Sequence, residues 1–595
     1  MTRHRIDEGT SARPLAVLQV AGDDVTMGRQ LGGLMRELGG FEHTLEYFDG
    51  LPGHILGMGR RDLGRKLVIG GIVRALAPGL ARLDRARPAA LRERTRVFLE
   101  ALGRPEGERL GLVALDATQN AIGLLARAGL SGGPRAEALA RGFGAGTRAG
   151  LQFPGACSSF AVWGRKSADG RLLHARNFDL PDPGGWTRSP AVVFCQPTGR
   201  FLRYGYVTTS GADIPGVTAF NEAGLTVTAH TRFHREVSFD GLSIVDLGHF
   251  IVRSARTLTE AIAIASSQRV ASSWGLVVSS ALERKAICIE VHAGRMAVDC
   301  GDAQRDFFCT TNRNQVAAMQ PGEVAPSAAW VRYSEGRLNA MRRELEAIEP
   351  GRGYDAMDAA RLLGSHVAGD EGAVGRDGNP GTYTRATGDC LAQSISIQSV
   401  VVDAERQTIH VSTGDHPTSR GPWTAIRWRW DGEPGLTVKG ATEAPTPAEL
   451  GPYTSGDQRR AYQRFLAASR LEIRRAPPVA VREAMEDAVA LAPEDPSFRH
   501  LAGGLALRAG DLGGALEHFE VAIEREPSAF RRAELMSWDA KVSRWAGLSQ
   551  RERERRRALA AVLPSRLIGT AIEDIERRRK PPPVGVDFQL LTVTT

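Results

Sequence analysis

The sequence has few cysteines, and they are not arranged in pairs. Six occur in 595 residues, with no Cys-x-x-Cys spacing. They are Cys157, Cys195, Cys288, Cys300, Cys309 and Cys390. This scatter excludes the common zinc-binding patterns and argues against a disulfide framework, so we expect reduced thiols and a cytoplasmic location.

Long apolar runs are also absent. No stretch of 18 or more apolar residues occurs, and the first eight residues lack the apolar centre of a signal peptide. We therefore expect no membrane span. Aromatic residues make up 6%, and no aromatic and basic stripe accompanies the net charge of +8, so nucleic-acid binding is not indicated.

The histidines are not spaced as metal ligands. Among the 13 in the chain, His174, His230, His234 and His366 show no paired ligand spacing. We expect neither a metal ion nor another cofactor.

A chain of this length is expected to form two or three domains. The residue pattern divides it into a helical leader over 1–156, a strand-rich region over 157–445 and an arginine-rich helical region over 455–595. The first two parts are expected to form one folding unit.

Alternation with a period of two dominates the middle region. It predicts strand pairs such as Ser159–Gly164 with Leu172–Arg176, and a helix pair over 242–268 that is broken near Thr257. A hairpin of Ser394–Val402 and Thr408–Ser412 is expected to close the region. Strand meanders interrupted by helix pairs predict an α+β fold of two antiparallel sheets with helices packed outside.

A repeat-like spacing marks the C-terminal region. Pro493 and Pro527 lie 34 residues apart, which is the period of the tetratricopeptide repeat. Residues 460–530 resemble about one and a half copies, and a generic helical hairpin is the alternative. Because about three repeats are needed to stand alone, we expect this region to dock on the main domain or to add helices over 535–565. We also expect it to be dispensable for chemistry.

The stretch Gly-Ala-Cys-Ser-Ser-Phe at 155–160 contains the candidate nucleophile. Two small residues precede Cys157 at the predicted start of a strand. Cleavage between Ala156 and Cys157 would give the thiol its own α-amine as a base, with a reference pKa of roughly 8. A buried structural cysteine is the alternative, because most free cysteines are inert core residues.

A second motif, Arg-Asn-x-Asp at 176–179, follows a predicted turn. The hairpin would return Arg176 to the end of the strand where Cys157 lies, and a guanidinium there favours a thiolate. Asp179, on the same strand face as Asn177, is placed to accept from a new ammonium group. A surface turn with an ion pair is the alternative.

These motifs resemble those of the isopenicillin N acyltransferase (acyl-coenzyme A:6-aminopenicillanic acid acyltransferase) family. That family is grouped with the cysteine N-terminal-nucleophile hydrolases, which include bile salt hydrolases and penicillin V acylases. Asn-Glu-x-Gly-Leu at 221–225 and Thr-Asn at 311–312 are further matches. The resemblance covers about 14–430. It implies a four-layer αββα sandwich, in which two antiparallel sheets lie between helices.

The resemblance also implies roles for individual residues. Cys157 would be the nucleophile after self-cleavage of the Ala156–Cys157 bond, with Arg176 and Asp179 positioning it. Asn312 matches an asparagine that holds the α-amine or the reacting acyl group.

Ala156 replaces the glycine that is often found before the cysteine, and two further positions depart from the pattern. Where the family places an oxyanion-binding asparagine this chain has His230, so His230 or a backbone amide is the candidate oxyanion donor. The late arginine of the bile salt hydrolases has no clear match, and Arg385 is the nearest candidate.

The implied activity is attack on an acyl–nitrogen bond through a thioester on Cys157, with the acyl group passed to water or to an amine. The expected substrate is a small N-acyl molecule or peptide, with acyl-coenzyme A as one candidate donor. A hydrolase of the bile salt hydrolase type is the alternative within this class. A scaffold protein with a degenerate core, binding a protein partner through its tetratricopeptide-like region, is the alternative from another class.

Overall fold

The computed structural model describes most of the chain. The described residues are 13–42, 77–127, 155–181, 185–324, 328–349, 351–369, 383–440, 453 and 456–562, with short pieces between 572 and 594. Parts of the predicted helical leader, 43–76 and 128–154, lie outside the described residues.

The strands are numbered in chain order. They are β1 (Leu15–Gly22), β2 (Ala156–Gly164), β3 (Gly170–Asp179), β4 (Pro190–Pro197), β5 (Tyr204–Thr209), β6 (Thr218–Asn221), β7 (Leu225–Thr231), β8 (Trp274–Ser280), β9 (Lys285–His292), β10 (Arg295–Asp299), β11 (Phe307–Thr310), β12 (Ser396–Asp403), β13 (Thr408–Ser412), β14 (Trp423–Arg427), β15 (Gly435–Lys439), β16 (Gly585–Asp587) and β17 (Thr592–Thr594).

The α-helices are numbered in the same way. They are α1 (Asp24–Leu38), α2 (Ala89–Leu102), α3 (Gly111–Arg127), α4 (Ile244–Ser254), α5 (Leu258–Ser266), α6 (Ala328–Glu346), α7 (Ala356–Leu363), α8 (Gly456–Ile473), α9 (Pro478–Leu491), α10 (Pro496–Arg508), α11 (Leu512–Arg525), α12 (Ala529–Trp545) and α13 (Ser549–Val562). Short 3-10 turns occur at Glu106–Leu110, Trp186–Arg188, Ala317–Met319 and Thr418–Arg420.

Two large sheets form the centre of the molecule. One has nine strands in the order β10-β9-β8-β7-β6-β5-β4-β1-β15, and the other has six in the order β11-β2-β3-β12-β13-β14. Neighbouring strands are antiparallel except β1 and β4, which run parallel with Ala16 opposite Ala191. The first sheet is therefore mixed, because β1 enters it from the leader and not through a hairpin.

The sheets pack face to face and are covered by helices on their outer sides. Apolar side chains of β4 and β12, such as Phe194 and Val400, meet between the sheets. Leu247 and Ile251 of α4 pack on the outer face of the nine-stranded sheet. Met341 of α6 packs on the outer face of the six-stranded sheet. The predicted αββα arrangement is confirmed.

The break in the helix pair has a local cause. Ala255 has extended backbone after α4, and the Thr257 side chain accepts the backbone N–H of Glu260 as the N-cap of α5. The predicted hairpin of β12 and β13 is present, but it does not close the region. Strand β14 adds to β13, and β15 adds to β1 at the edge of the other sheet.

In its described residues, the C-terminal region contains six helices, α8 to α13, and the β16–β17 hairpin. It docks on the loop that precedes β12. Arg385 in that loop donates to Glu526 at the end of α11, and Arg531 of α12 donates to Asp389 at 3.2 Å. All four side chains are buried. The Leu591 side chain packs against Gly388 of the same loop.

None of the helices within the described ranges is long and apolar enough to cross a membrane.

Candidate active site

The Ala156–Cys157 peptide bond lies at the start of β2, and a glycine directly before it is required. Gly155 has φ +153°, and a Cβ there would lie 2.2 Å from Leu180 Cδ2 and 3.0 Å from the carbonyl oxygen of Asp179. A side chain at 155 would therefore be strained and would clash with the end of β3. This explains one of the two small residues noted in the sequence.

Strand β2 sorts the candidate residues onto its two faces. Cys157 lies opposite Phe178 and Ser159 lies opposite Arg176 in the β2–β3 pair. Because side chains alternate along a strand, these residues face the nine-stranded sheet. Ala156 and Asp179 form the next pair and face helix α6.

On the inner face, the Arg176 guanidinium contacts the thiol. Its Nη2 lies 3.3 Å from Cys157 Sγ and donates to the carbonyl of Ala229 at 2.9 Å. Its Nη1 donates to the carbonyl of Val217 at 2.8 Å and to the hydroxyl of Thr218. The guanidinium is thus fixed by groups of the opposite sheet.

Within the part of the chain that the structure describes, Arg176 has no carboxylate partner. Its side chain is 0% exposed, and no acidic group in the described part of the chain lies within ion-pair distance of it. The ring of Phe178 lies 4.5 Å from its Cζ. A buried guanidinium without a counter-ion beside a sulfur places a fixed positive charge where a thiolate or a bound anion would carry negative charge.

The backbone N–H of Cys157 is held by Asn312, which follows β11, the strand beside β2. The N–H donates to Asn312 Oδ1 at 3.0 Å, and Asn312 Nδ2 donates to the carbonyl of Thr231 at 3.1 Å. After cleavage this nitrogen would be the α-amine, so the atom expected to act as base is already oriented in the intact chain. Asn312 therefore contacts the nitrogen that the resemblance associates with it, and its role stays a prediction.

Arg337 is a site residue that the sequence reasoning missed. From α6 it donates to the Cys157 carbonyl at 2.8 Å, to Ser158 Oγ at 2.7 Å and to Asn312 Oδ1 at 2.8 Å. It is 0% exposed, and its Cζ lies 4.3 Å from the ring centre of Tyr333.

One sequence signal could have found Arg337. Trp330, Tyr333, Arg337 and Met341 recur at helical spacing and are buried, so an arginine interrupts an otherwise apolar row of positions on one helix face. A charged residue at such a position needs a partner inside the fold.

Asp179 lies close to Arg337. Ser396 Oγ donates to Asp179 Oδ1 at 2.6 Å, and Oδ2 lies 4.0 Å from Arg337 Nη1. Oδ2 has no hydrogen-bond partner among the described residues. Burial raises the pKa of Asp179 to about 6, against the opposing effects of Arg337, Ser396 and Arg176.

The neighbouring Asn177 has a structural role. Its Nδ2 donates to the carbonyls of Leu363 and Leu391, and its Oδ1 accepts from Ser399. It ties β3 to the segments around it and does not contact Cys157.

His230 and Arg385 have different positions. His230 lies between the sheets and bonds through Nε2 to Ser159 Oγ at 2.8 Å. Burial, and then the charges of Arg176 and Arg232, hold the pKa of His230 well below its usual range. Arg385 is bound to Glu526 and Asp389 at the C-terminal helices. It is therefore not available to the thiol.

One cluster has the residue types of a metal site. Ligand atoms of His234, Glu236 and His292 lie within 4.8 Å of one another. Both ring nitrogens of His234 are engaged, with Pro321 O at 2.7 Å from Nε2 and the Glu236 N–H at 3.0 Å from Nδ1. The cluster therefore offers no free ligand atom on His234.

The comparisons with known proteins address the core. Residues 165–356 match the sequence model of the family described as acyl-coenzyme A:6-aminopenicillanic acid acyl-transferase. The chain resembles this acyltransferase family, as the motifs predicted. The match covers about a third of the chain and supports an enzyme that transfers or hydrolyses acyl groups.

The acyltransferase match includes most of the site. Arg176, Asp179, His230, Asn312 and Arg337 fall inside it, whereas Cys157 lies eight residues before its start. No protein with a curated description matches the chain.

A Caenorhabditis elegans N-acylethanolamine-hydrolyzing acid amidase ortholog is among the solved structures found. It is 14% identical, with a TM-score of 0.26, over 42% of this chain and 93% of that chain. Likeness at this level has no bearing on function.

Proposed function

We propose that the protein is a self-processing cysteine N-terminal-nucleophile enzyme. It acts on an acyl carbon–nitrogen bond through a thioester on Cys157. The observation that supports the proposal is that two side chains contact Cys157. Arg176 contacts its thiol at 3.3 Å, and Asn312 accepts a hydrogen bond from its backbone nitrogen at 3.0 Å. A nucleophile and its own base would both be oriented by this arrangement.

The first step is cleavage of the chain. Cys157 Sγ attacks the Ala156 carbonyl, the carbon–nitrogen bond breaks, and the acyl group moves from nitrogen to sulfur as the nitrogen takes the thiol proton. Water then hydrolyses the thioester, which leaves a carboxylate on Ala156 and a free α-amine on Cys157. Arg337, bonded to the Cys157 carbonyl and to Asn312, keeps this residue in place while the chain before it is released.

The second step is turnover of substrate. The α-amine accepts the Sγ proton, and the sulfur attacks the substrate carbonyl. The tetrahedral intermediate collapses, the amine leaves with the proton, and the acyl group stays on sulfur. Water or a second amine then takes the acyl group. Exclusion of water from the thioester decides between hydrolysis and transfer.

Asp179 and Arg337 set the charge balance around the amine. Arg337 Nη1 lies 4.0 Å from Asp179 Oδ2. The unpartnered Oδ2 is an acceptor for the ammonium group that forms when the amine takes a proton. The substrate class that fits these steps is a small N-acyl compound or peptide.

Self-cleavage is the direct test. Wild-type protein should give fragments of about 17 and about 47 kDa, scaled from 64.1 kDa for 595 residues. Cys157→Ala should remain whole, and Cys300→Ala, which alters an exposed cysteine, should cleave like wild type. Gel electrophoresis and intact mass measure the outcome. A wild-type chain that stays whole in cells and after purification contradicts self-processing.

A further inference from the structure

A row of five buried polar side chains runs between the two sheets. His174 Nδ1 lies 2.8 Å from Ser279 Oγ, and His174 Nε2 lies 3.2 Å from Thr228 Oγ1. Ser159 Oγ lies 3.2 Å from Thr228 Oγ1 and 2.8 Å from His230 Nε2. We call this row the inter-sheet relay. All five side chains are at most 1% exposed.

Both imidazoles in the relay are neutral at ordinary pH. Burial, with Arg176 as the next cause, lowers the pKa of His174 to about 3. The pKa of His230 is held well below its usual range. A neutral imidazole has one N–H donor and one acceptor nitrogen, so each histidine can pass a hydrogen bond along but cannot donate at both ends.

The relay ends at an unused atom beside the candidate site. His230 Nδ1 has no hydrogen-bond partner among the described residues. Ser159 lies two residues after Cys157 on the same face of β2, and Ala229, next to His230, accepts from the Arg176 nitrogen that contacts Cys157 Sγ. His230 therefore lies on the thiol side of the space between the sheets.

Four donor orders satisfy all four contacts of the relay, because a hydroxyl can accept two hydrogen bonds, and each order leaves one donor open. In one, Ser279 donates to His174, His174 to Thr228, Thr228 to Ser159 and Ser159 to His230 Nε2, which leaves His230 Nδ1–H as the open donor. In the reverse order the open donor is the Ser279 hydroxyl, at the end away from the thiol. In the other two orders His230 Nε2–H donates to Ser159, and the open donor is the Ser159 or the Thr228 hydroxyl. Only the first order leaves an N–H on His230 Nδ1, the nitrogen without a partner among the described residues.

We propose that the inter-sheet relay holds His230 as the Nδ1–H tautomer and that this N–H donates to the oxyanion formed when Cys157 attacks a carbonyl. This inference rests on the proposed function and names its positioning residues. When Sγ attacks, the carbonyl oxygen gains the electron pair, and His230 donates a hydrogen bond without giving up its proton. Collapse of the intermediate returns the pair to the carbonyl.

The tautomer is tested by nitrogen NMR on the full chain labelled at histidine, with the His230 signal assigned by its loss in His230→Asn. Wild type should show Nδ1–H, and Ser159→Ala should shift His230 toward Nε2–H or a mixture because its acceptor nitrogen loses its donor. Thr228→Val, which breaks the relay one step earlier, serves if Ser159→Ala does not fold. A wild-type His230 protonated on Nε2 overturns the proposal.

The oxyanion role is tested by rate. Release of p-nitroaniline from N-acyl p-nitroanilides and the half-time of self-cleavage are the two readouts. His230→Ala should slow both by about 10²-fold or more, and His230→Asn, which restores an N–H donor, should recover part of the loss. Ser159→Ala should lower kcat with little change in KM. Ser280→Ala, a neighbouring hydroxyl outside the relay, should match wild type.

The outcomes separate the two proposals. If wild type cleaves itself and forms a thioester on Cys157 but His230→Ala does both at the wild-type rate, the oxyanion role is wrong and the proposed function stands. If wild type forms no thioester and stays whole, the proposed function fails, whatever the tautomer of His230.

Discussion

Asp179→Asn should stabilise the protein at alkaline pH. Burial raises the pKa of Asp179 from 3.8 to about 6, so the folded protein binds this proton more tightly than the unfolded chain does. The group therefore contributes stability at low pH that is lost as pH rises between 3.8 and about 6. The difference between a pKa of 3.8 and one of about 6 corresponds to about 3 kcal/mol in the free energy of unfolding, all of it lost at pH 8.

The asparagine removes that loss while retaining an acceptor for Ser396. The variant should gain up to about 3 kcal/mol at pH 8 and about 1 kcal/mol at pH 4.5. Urea unfolding of both chains in a Cys157→Ala background keeps processing out of the measurement. Asp431→Asn, at a side chain 88% exposed, is the control and should change stability by less than about 0.5 kcal/mol. A gain that is absent at pH 8, or that does not shrink on acidification, refutes the reasoning.

Three further predictions concern the arginines. Arg176→Lys should lower kcat/KM for p-nitroanilides by about 10²-fold with little loss of folded protein. The reason is that one lysine amine cannot contact Cys157 Sγ and the opposite sheet at the same time. Turnover at the wild-type rate would show that Arg176 is not part of the site. Arg337→Met should slow self-cleavage at least tenfold by gel, since Asn312 and the Cys157 carbonyl lose a shared donor; unchanged kinetics would restrict Arg337 to packing. Glu526→Gln should cost about 3–5 kcal/mol in urea unfolding, because it leaves the buried Arg385 and Arg531 to share one carboxylate, Asp389, whereas Glu494→Gln on the surface should not.

The local sequence predicts the strands better than their arrangement. Cys157 and Arg176 were placed together from one hairpin, because a turn of known position brings its two strands into contact. The parallel pairing of β1 with β4 could not be predicted, since the two strands are separated by more than 160 residues and nothing in either fixes their relative direction.

The same limit applies to the site. Asn312 belongs to the short motif Thr-Asn at 311–312, which could be matched to the family from the sequence. Arg337 belongs to no such motif, and its role depends on how α6 packs across β2, which is a tertiary contact. His230 could be proposed from its position, but its hydrogen bond to Ser159 arises only when the sheets stack.

Docking of the C-terminal helices bears on how this protein can be divided. The loop that they hold through Arg385 and Asp389 leads directly into Ser396, which bonds Asp179. A truncation before residue 456 would remove Glu526 and Arg531, the partners of Arg385 and Asp389 in the loop that leads to β12. We therefore expect that the C-terminal helices cannot be removed without disturbing this loop. When these helices are exchanged between relatives, residues 383–396 should be exchanged with them.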